Sequence, residues 1–269
     1  MLTSLNNSIL VEASNNVCTV TLNRTKSLNA LNWDMVKALL DITIQLKNAP
    51  EIRAVVLRGA GQNFMAGGDI KGFKTFLDQA PTRSSIQSEF EGELEEVHKV
   101  IYNMRTLPIP VIASIRGAAA GAGLSFVLAC DLAICTEKAF FTLAYCRIGT
   151  SPDGGSTFFL PRSVGFKKAM EIALLGNRFN AQKAFELGLV NYIVNDDQLE
   201  NETSILLKQI TQSSAVALAE TKKLLNNSLC ANLTEQLNAE TRAFVNCSTK
   251  PDFYEGVSAF IEKREPLFE

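Results

Sequence analysis

The stretch VIASIRGAAAGAGLSFVLACDLAICT (residues 111–136) decides the fold. VIASI (111–115) is a short apolar run of the kind buried in a parallel sheet. GAAAGAG (117–123) is a turn of small residues that feeds a buried helix running to Cys130. DLAICT (131–136) then returns to strand. Strand, helix and strand in this order predict a right-handed crossover and a mixed α/β chain. Glycine and alanine let a ligand approach the backbone closely. A helix start leaves N–H groups unpaired at a positive dipole end.

Outward from this centre the same alternation continues. GELEEVHKVIYNMRTL (92–107) is an amphipathic helix stopped by Pro108 and Pro110. AVVLRG (54–59) is another buried strand, and it leads into a second small-residue turn, FMAGGD (64–69). Residues 33–48 carry apolar side chains at helical spacing with Asn32 as N-cap. Residues 8–23 read as two strands around an Asn-Asn turn. FFTLAY (140–145) is a short strand candidate, and LVNYIV (189–194) is the last convincing strand. Residues 73–90 are polar and weakly periodic, and predict a mobile segment. Helical patterning takes over from about 163 and is nearly continuous from 198 to 264. The division is therefore a core of 1–195 and a packed helical extension of 196–269.

The 269 residues hold 26 Lys+Arg, 28 Asp+Glu and a single His, with net charge -2. That balance gives no electrostatic surface for nucleic acid. One histidine excludes multi-histidine metal sites. The cysteines Cys18, Cys130, Cys135, Cys146, Cys230 and Cys247 form no C-x-x-C pair, so no metal site is expected, and they read as reduced core thiols. No apolar run approaches the ~18 residues of a membrane span. The N-terminus lacks the pattern of a signal or transit peptide, and EPLFE is not a peroxisomal ending, so a cytoplasmic location is expected. GAAAGAG lacks the G-x-G-x-x-G spacing of a dinucleotide site, and no G-K-[ST] follows either turn. Two amides, one from each glycine turn, can instead hold a developing oxyanion.

Six segments in this order resemble the crotonase (enoyl-CoA hydratase/isomerase) superfamily. They are VTLNRTKSLNALN (20–32), FMAGGDIK (64–71), residues 108–141, IGTSPDGGSTFFLPRSVG (148–165), LLGNRFNAQKAFELGLVNYIV (174–194) and EGVSAFIEKREPLF (255–268). The resemblance implies a spiral of ββα turns with a helical C-terminal trimerisation region. It implies an acyl-CoA thioester as substrate, no other cofactor, and a homotrimer or dimer of trimers. The positions matching the oxyanion amides are Gly68 and Ala122. Those matching thioester and coenzyme A contacts are Arg24, Lys26, Ala66, Ile70 and Lys71. Phe260 and Lys263 match positions that reach the coenzyme A of a neighbouring subunit.

The two carboxylates that hydratases of this family use fall at Ser125 and Tyr145. Neither is a carboxylate, and a tyrosine has an ordinary pKa near ~10. The sequence instead offers Asp153 in SPDGGST, which resembles the phenylacetate-pathway isomerases of the superfamily. One carboxyl suits isomerisation: it takes a proton from one carbon and returns it two carbons away through a dienolate. Phe158, Phe159 and Leu143 are expected to wall its pocket and raise its pKa. Phe73, Phe76, Phe90 and Tyr145 are further candidates for the acyl pocket. The expectation is an enoyl-CoA isomerase with Asp153 as acid/base. Hydration is the alternative, with Ser125 at one hydratase position. A dehalogenase-like hydrolase is a lesser one, in which Asp153 attacks an aromatic carbon and His98 activates water. A non-catalytic CoA-binding member is another.

Overall fold

A computed structural model describes residues 2–79 and 82–268. The chain opens with the hairpin β1 (Ile9–Ser14) and β2 (Val17–Leu22). Asn15 and Asn16 both have positive φ, 51° and 62°. That is the primed turn whose twist matches a two-residue hairpin. α1 (Trp33–Leu46) follows, and Asn32 caps it by accepting the Met35 N–H. Next come β3 (Ala54–Gly59), α2 (Ile70–Gln79), α3 (Arg83–Thr106), β4 (Val111–Ile115), β5 (Ala118–Ala120) and α4 (Ala122–Ala129). They are followed by β6 (Leu132–Thr136), β7 (Phe140–Thr142), α5 (Ser156–Val164), α6 (Phe166–Leu175), β8 (Phe179–Asn180), α7 (Ala181–Glu186) and β9 (Tyr192–Val194). The chain then runs through α8 (Leu199–Thr211), α9 (Ala215–Ser228), α10 (Leu233–Ser248) and α11 (Pro251–Glu262).

The main sheet has the order β1-β2-β3-β4-β6-β9, parallel throughout except for the β1 edge. A smaller sheet, β5-β7-β8, begins directly after β4. This is the mixed β/α architecture of a ββα superhelix, with a sheet core and a C-terminal helical bundle. The core lies between the main sheet, α1, α3 and α4, with Phe64, Phe126, Phe141 and Met35 fully enclosed. α8 covers part of the sheet's other face, where Leu199, Leu206 and Ile210 meet Ala54, Ile112 and Ile134.

Lys222 of α9 fastens the C-terminal helices to this core. Its ammonium sits 2.6 Å from Asp131 and donates to the carbonyls of Met104 and Ile109. A buried charge needs such a full set of partners.

Four expectations need correction. Within 73–90, residues 73–79 and 83–90 are helical, with Thr82 an extended cap between them. α3 begins at Arg83 rather than 92, because Thr82 and Ser85 form a reciprocal cap and aromatic side chains pack the segment down. β7 stops at Thr142, since Ala144 takes positive φ (45°) and starts a 3-10 turn, Tyr145–Ile148. Of the last strand only Tyr192–Val194 pairs; Leu189 and Val190 are buried outside it. Three cysteines are core thiols, with burial pushing Cys18 and Cys135 up to about 12. Cys146 and Cys230 are exposed and Cys247 is half-buried, so these three are not.

Candidate active site

The two glycine turns meet because a short chain of backbone hydrogen bonds draws them together. The Met65 N–H donates to the Ala118 carbonyl, and the Ala120 N–H donates back to the Met65 carbonyl. On the other side the Leu31 N–H donates to Gly67 and the Asp69 N–H to Leu31. The segment 65–69 is thus strung between β5 and Leu31. A side chain at Gly67 would stand 3.3 Å from the Ala120 carbonyl, in a backbone with φ +102°. Only glycine permits that approach. The Gly121 N–H is used by Thr142. The N–H groups of Gly68 and of Ala122, the first residue of α4, donate to no acceptor among the described residues.

Behind this loop lies Asn29, fully buried with positive φ (57°). Its side chain accepts the Arg24 N–H and donates to the carbonyls of Ala60 and Asn63. Arg24 in turn pairs with Asp69 at 2.7 Å and donates to Ala30. Burial pushes the Asp69 carboxyl up, but the Arg24 guanidinium and the Gly72 N–H together hold it below its usual range. Arg24 therefore braces the turn.

Asp153 arrives from a third direction, on the loop before α5. Its backbone carbonyl accepts the Ser156 N–H and the hydroxyls of Ser156 and Ser125. A Cβ at Gly154 would come 2.9 Å from the Ser125 Cβ, so this loop lies directly on α4. The carboxyl oxygen Oδ1 accepts the Tyr145 hydroxyl at 2.6 Å, and Ser125 Oγ stands 3.2 Å from the same hydroxyl. Burial raises the Asp153 carboxyl, against the Tyr145 hydrogen bond and the charge of His98, which pull it down. Burial, then the Asp153 charge, pushes the Tyr145 phenol far up, so it stays protonated and acts as donor.

These parts line one cavity of about 450 Å³. Of the residues singled out in the sequence, Gly68, Ala122, Asp153, Tyr145, Ala66 and Ile70 border it. Among the described lining residues Asp153 is the only carboxyl. Its apolar wall is Trp33, Phe73, Leu77, Phe90, Leu94 and Val97, in place of Phe158, Phe159 and Leu143. Phe158 instead lies under the Arg162 guanidinium, Phe159 near Arg105, and Leu143 inside the core. Phe76 packs behind Phe90. Trp33, Leu77 and Leu94 went unread because each looks like an ordinary amphipathic position on its helix.

Ser125 is buried and reaches the site only through Tyr145 and Asp153. His98 is exposed on α3 and does not line the cavity. Lys26 and Lys71 are exposed near it without lining it. Phe260 and Lys263 sit at the end of α11, away from the cavity of their own chain. Among the described residues no cluster of His, Cys, Asp and Glu could hold a metal ion, and no helix is long and apolar enough to cross a membrane.

Similarity to known proteins extends over nearly the whole chain. A probable enoyl-CoA hydratase of Rhodobacter capsulatus is 36% identical over 97% of both chains. The 1,2-epoxyphenylacetyl-CoA isomerase of Escherichia coli is 33% identical, again over 97% of both. The crystal structure of an enoyl-CoA hydratase from Polaromonas sp. superposes with a TM-score of 0.90 at 34% identity, covering 97% of this chain and 99% of that one. The family described as enoyl-CoA hydratase/isomerase matches residues 12–269, and the chain belongs to this enzyme family.

Proposed function

We propose that the protein isomerises the double bond of an enoyl-CoA thioester, 3-enoyl to 2-enoyl or a ring-derived analogue, with Asp153 as acid and base. The observation that carries this is Asp153, the single carboxyl among the described lining residues, beside two backbone amides that donate to no acceptor among them. Gly68 and Ala122 would receive the thioester oxygen. Asp153 removes a proton from the carbon next to the carbonyl, and the negative charge moves to that oxygen. Prepositioned donors there are worth on the order of 10²–10³ in rate each. The same carboxyl returns the proton two carbons further along, so the C=C bond moves and nothing is added. Burial suits Asp153 to this work, since a carboxyl raised toward neutral pH both takes and gives a proton readily.

Ala66, Ile70, Lys26 and Lys71 would meet the coenzyme A portion, and the aromatic wall the acyl group. Phe260 and Lys263 would meet the coenzyme A of a neighbouring subunit in a homotrimer or dimer of trimers built on residues 196–269. A cytoplasmic enzyme of phenylacetate-type catabolism fits this reading.

Hydration is the second reading, and the names of the Rhodobacter and Polaromonas relatives favour it. It would make Asp153 the lone base on water. A substrate panel separates the two: 3-enoyl-CoA isomerisation, 2-enoyl-CoA hydration, ring-epoxide phenylacetyl-CoA isomerisation and 4-chlorobenzoyl-CoA hydrolysis, each with wild type and Asp153→Asn. Isomerisation lost in the variant supports the proposal. Efficient hydration that survives Asp153→Asn would sink it.

A further inference from the structure

Isomerisation by a single carboxyl needs one oxygen to face the acyl chain at both ends of the proton's path. A free carboxyl rotates, and its two oxygens exchange places. Here Oδ1 is held at 2.6 Å by the Tyr145 hydroxyl, while Oδ2 takes no hydrogen bond among the described residues. Tyr145 is itself fixed: it is buried, and the left-handed turn at Ala144 swings it off the end of β7 toward Asp153.

Proton counting gives the direction of each bond. A tyrosine has one hydroxyl proton, and the short contact to Oδ1 takes it. Ser125 then supplies the proton of its own contacts, to the Tyr145 oxygen at 3.2 Å or the Asp153 carbonyl at 3.1 Å. Three elements therefore converge on Asp153: the 3-10 turn, α4 and its own loop before α5.

We propose that Tyr145 is a positioning residue, whose hydroxyl pins Oδ1 of Asp153 and leaves Oδ2 as the one atom that exchanges protons with substrate, with Ser125 as the strut behind it. This rests on Asp153 being the acid/base. The charged and titratable groups facing Asp153 are Tyr145 and His98 of α3. Ser125 and Ser156 touch the same residue without carrying charge. A donor to a carboxylate favours the ionised form. Tyr145 thus offsets part of the effect of burial and keeps the base available near neutral pH.

The test uses full-length Tyr145→Phe and Ser125→Ala. One readout is the pH profile of kcat and kcat/KM for 3-hexenoyl-CoA isomerisation. The other is a ¹³C-carboxyl NMR titration of Asp153, assigned by its absence in Asp153→Asn. Tyr145→Phe should lower kcat by about tenfold or more and move both the acidic limb and the Asp153 titration up by about one pH unit. Ser125→Ala should give a smaller shift of the same sign. If Tyr145→Phe folds poorly, 3-fluorotyrosine at position 145, a stronger donor, should move the titration down. An Asp153 titration identical in wild type and these variants would overturn the proposal, as would a loss of thermal stability with no change in pH profile. Isomerisation that survives Asp153→Asn would overturn the acid/base reading instead. The NMR titration reads the Tyr145 contact independently of that outcome.

Discussion

Asp153 works against the fold that holds it. Burial disfavours its charged form, so its carboxyl lies above the ordinary aspartate value. The linkage sign follows from that direction. A group with a raised folded pKa contributes stability that is complete below the unfolded value and is lost as pH rises through the folded one. Asp153→Asn should therefore raise Tm, or leave it unchanged, at pH 8 and have less effect at pH 5, while kcat falls by about 10²–10⁴. Thermal melts at the two pH values beside steady-state rates check both halves. His98 lies on the surface and acts on Asp153 only through its charge. His98→Gln should keep kcat within about twofold, since general catalysis by a proton-transfer group is worth at least about 10². An essential His98 would point to hydrolytic chemistry. Asp153 was legible in sequence because SPDGG is a compact signal. Its partners were not, because Ser125 and Tyr145 lie 28 and 8 residues away and read there as residues in the positions of missing carboxylates.

The elements that aim the amides can be tested separately from the carboxyl. Asn29 gathers three backbone groups from two segments, in a left-handed conformation that alanine tolerates poorly. Asn29→Ala leaves those groups unpaired and should cost about 3 kcal/mol, seen as a lower midpoint in urea unfolding. An unchanged midpoint would mean that the 24–31 turn does not brace the site. Ala122 opens α4, the helical position where proline is best accepted. Ala122→Pro deletes its N–H and should reduce kcat by about 10²–10³ with an unchanged circular dichroism spectrum. The glycine turns were readable from small residues after apolar strands. The α2–α3 wall was readable only in part: Phe73 and Phe90 stood out as aromatic candidates, but Leu77, Leu94 and Val97 did not, because the intervening polar residues dilute the helical period and these three read as ordinary amphipathic positions.

The chain leaves large apolar side chains exposed on α10, on α11 and on the tail after them. Phe244, Tyr254 and Phe260 are 66%, 78% and 86% exposed, together with Leu233, Ile261 and Leu267. Exposure of this kind is what the proposed assembly through residues 196–269 would cover. Sedimentation should give three or six times the 29.4 kDa of one chain. Phe260→Glu should shift that mass downward and weaken binding of the CoA thioester. A wild-type monomer with full activity would contradict the C-terminal region as an assembly surface. The overall α/β order was legible because periodicity survives in each element. Which apolar helix faces remain uncovered is a property of packing, and no window of sequence reports it.

On the proposed mechanism Asp153 moves a proton within the substrate and adds nothing to it. The most direct measurement is mass spectrometry of the product formed from a 3-enoyl-CoA in D₂O, with wild type and Asp153→Asn. Isomerisation by Asp153 gives a 2-enoyl-CoA isomeric with the substrate, carrying at most one deuterium, formed by wild type and not by the variant. A product heavier by one D₂O, formed as fast by Asp153→Asn as by wild type, would contradict it.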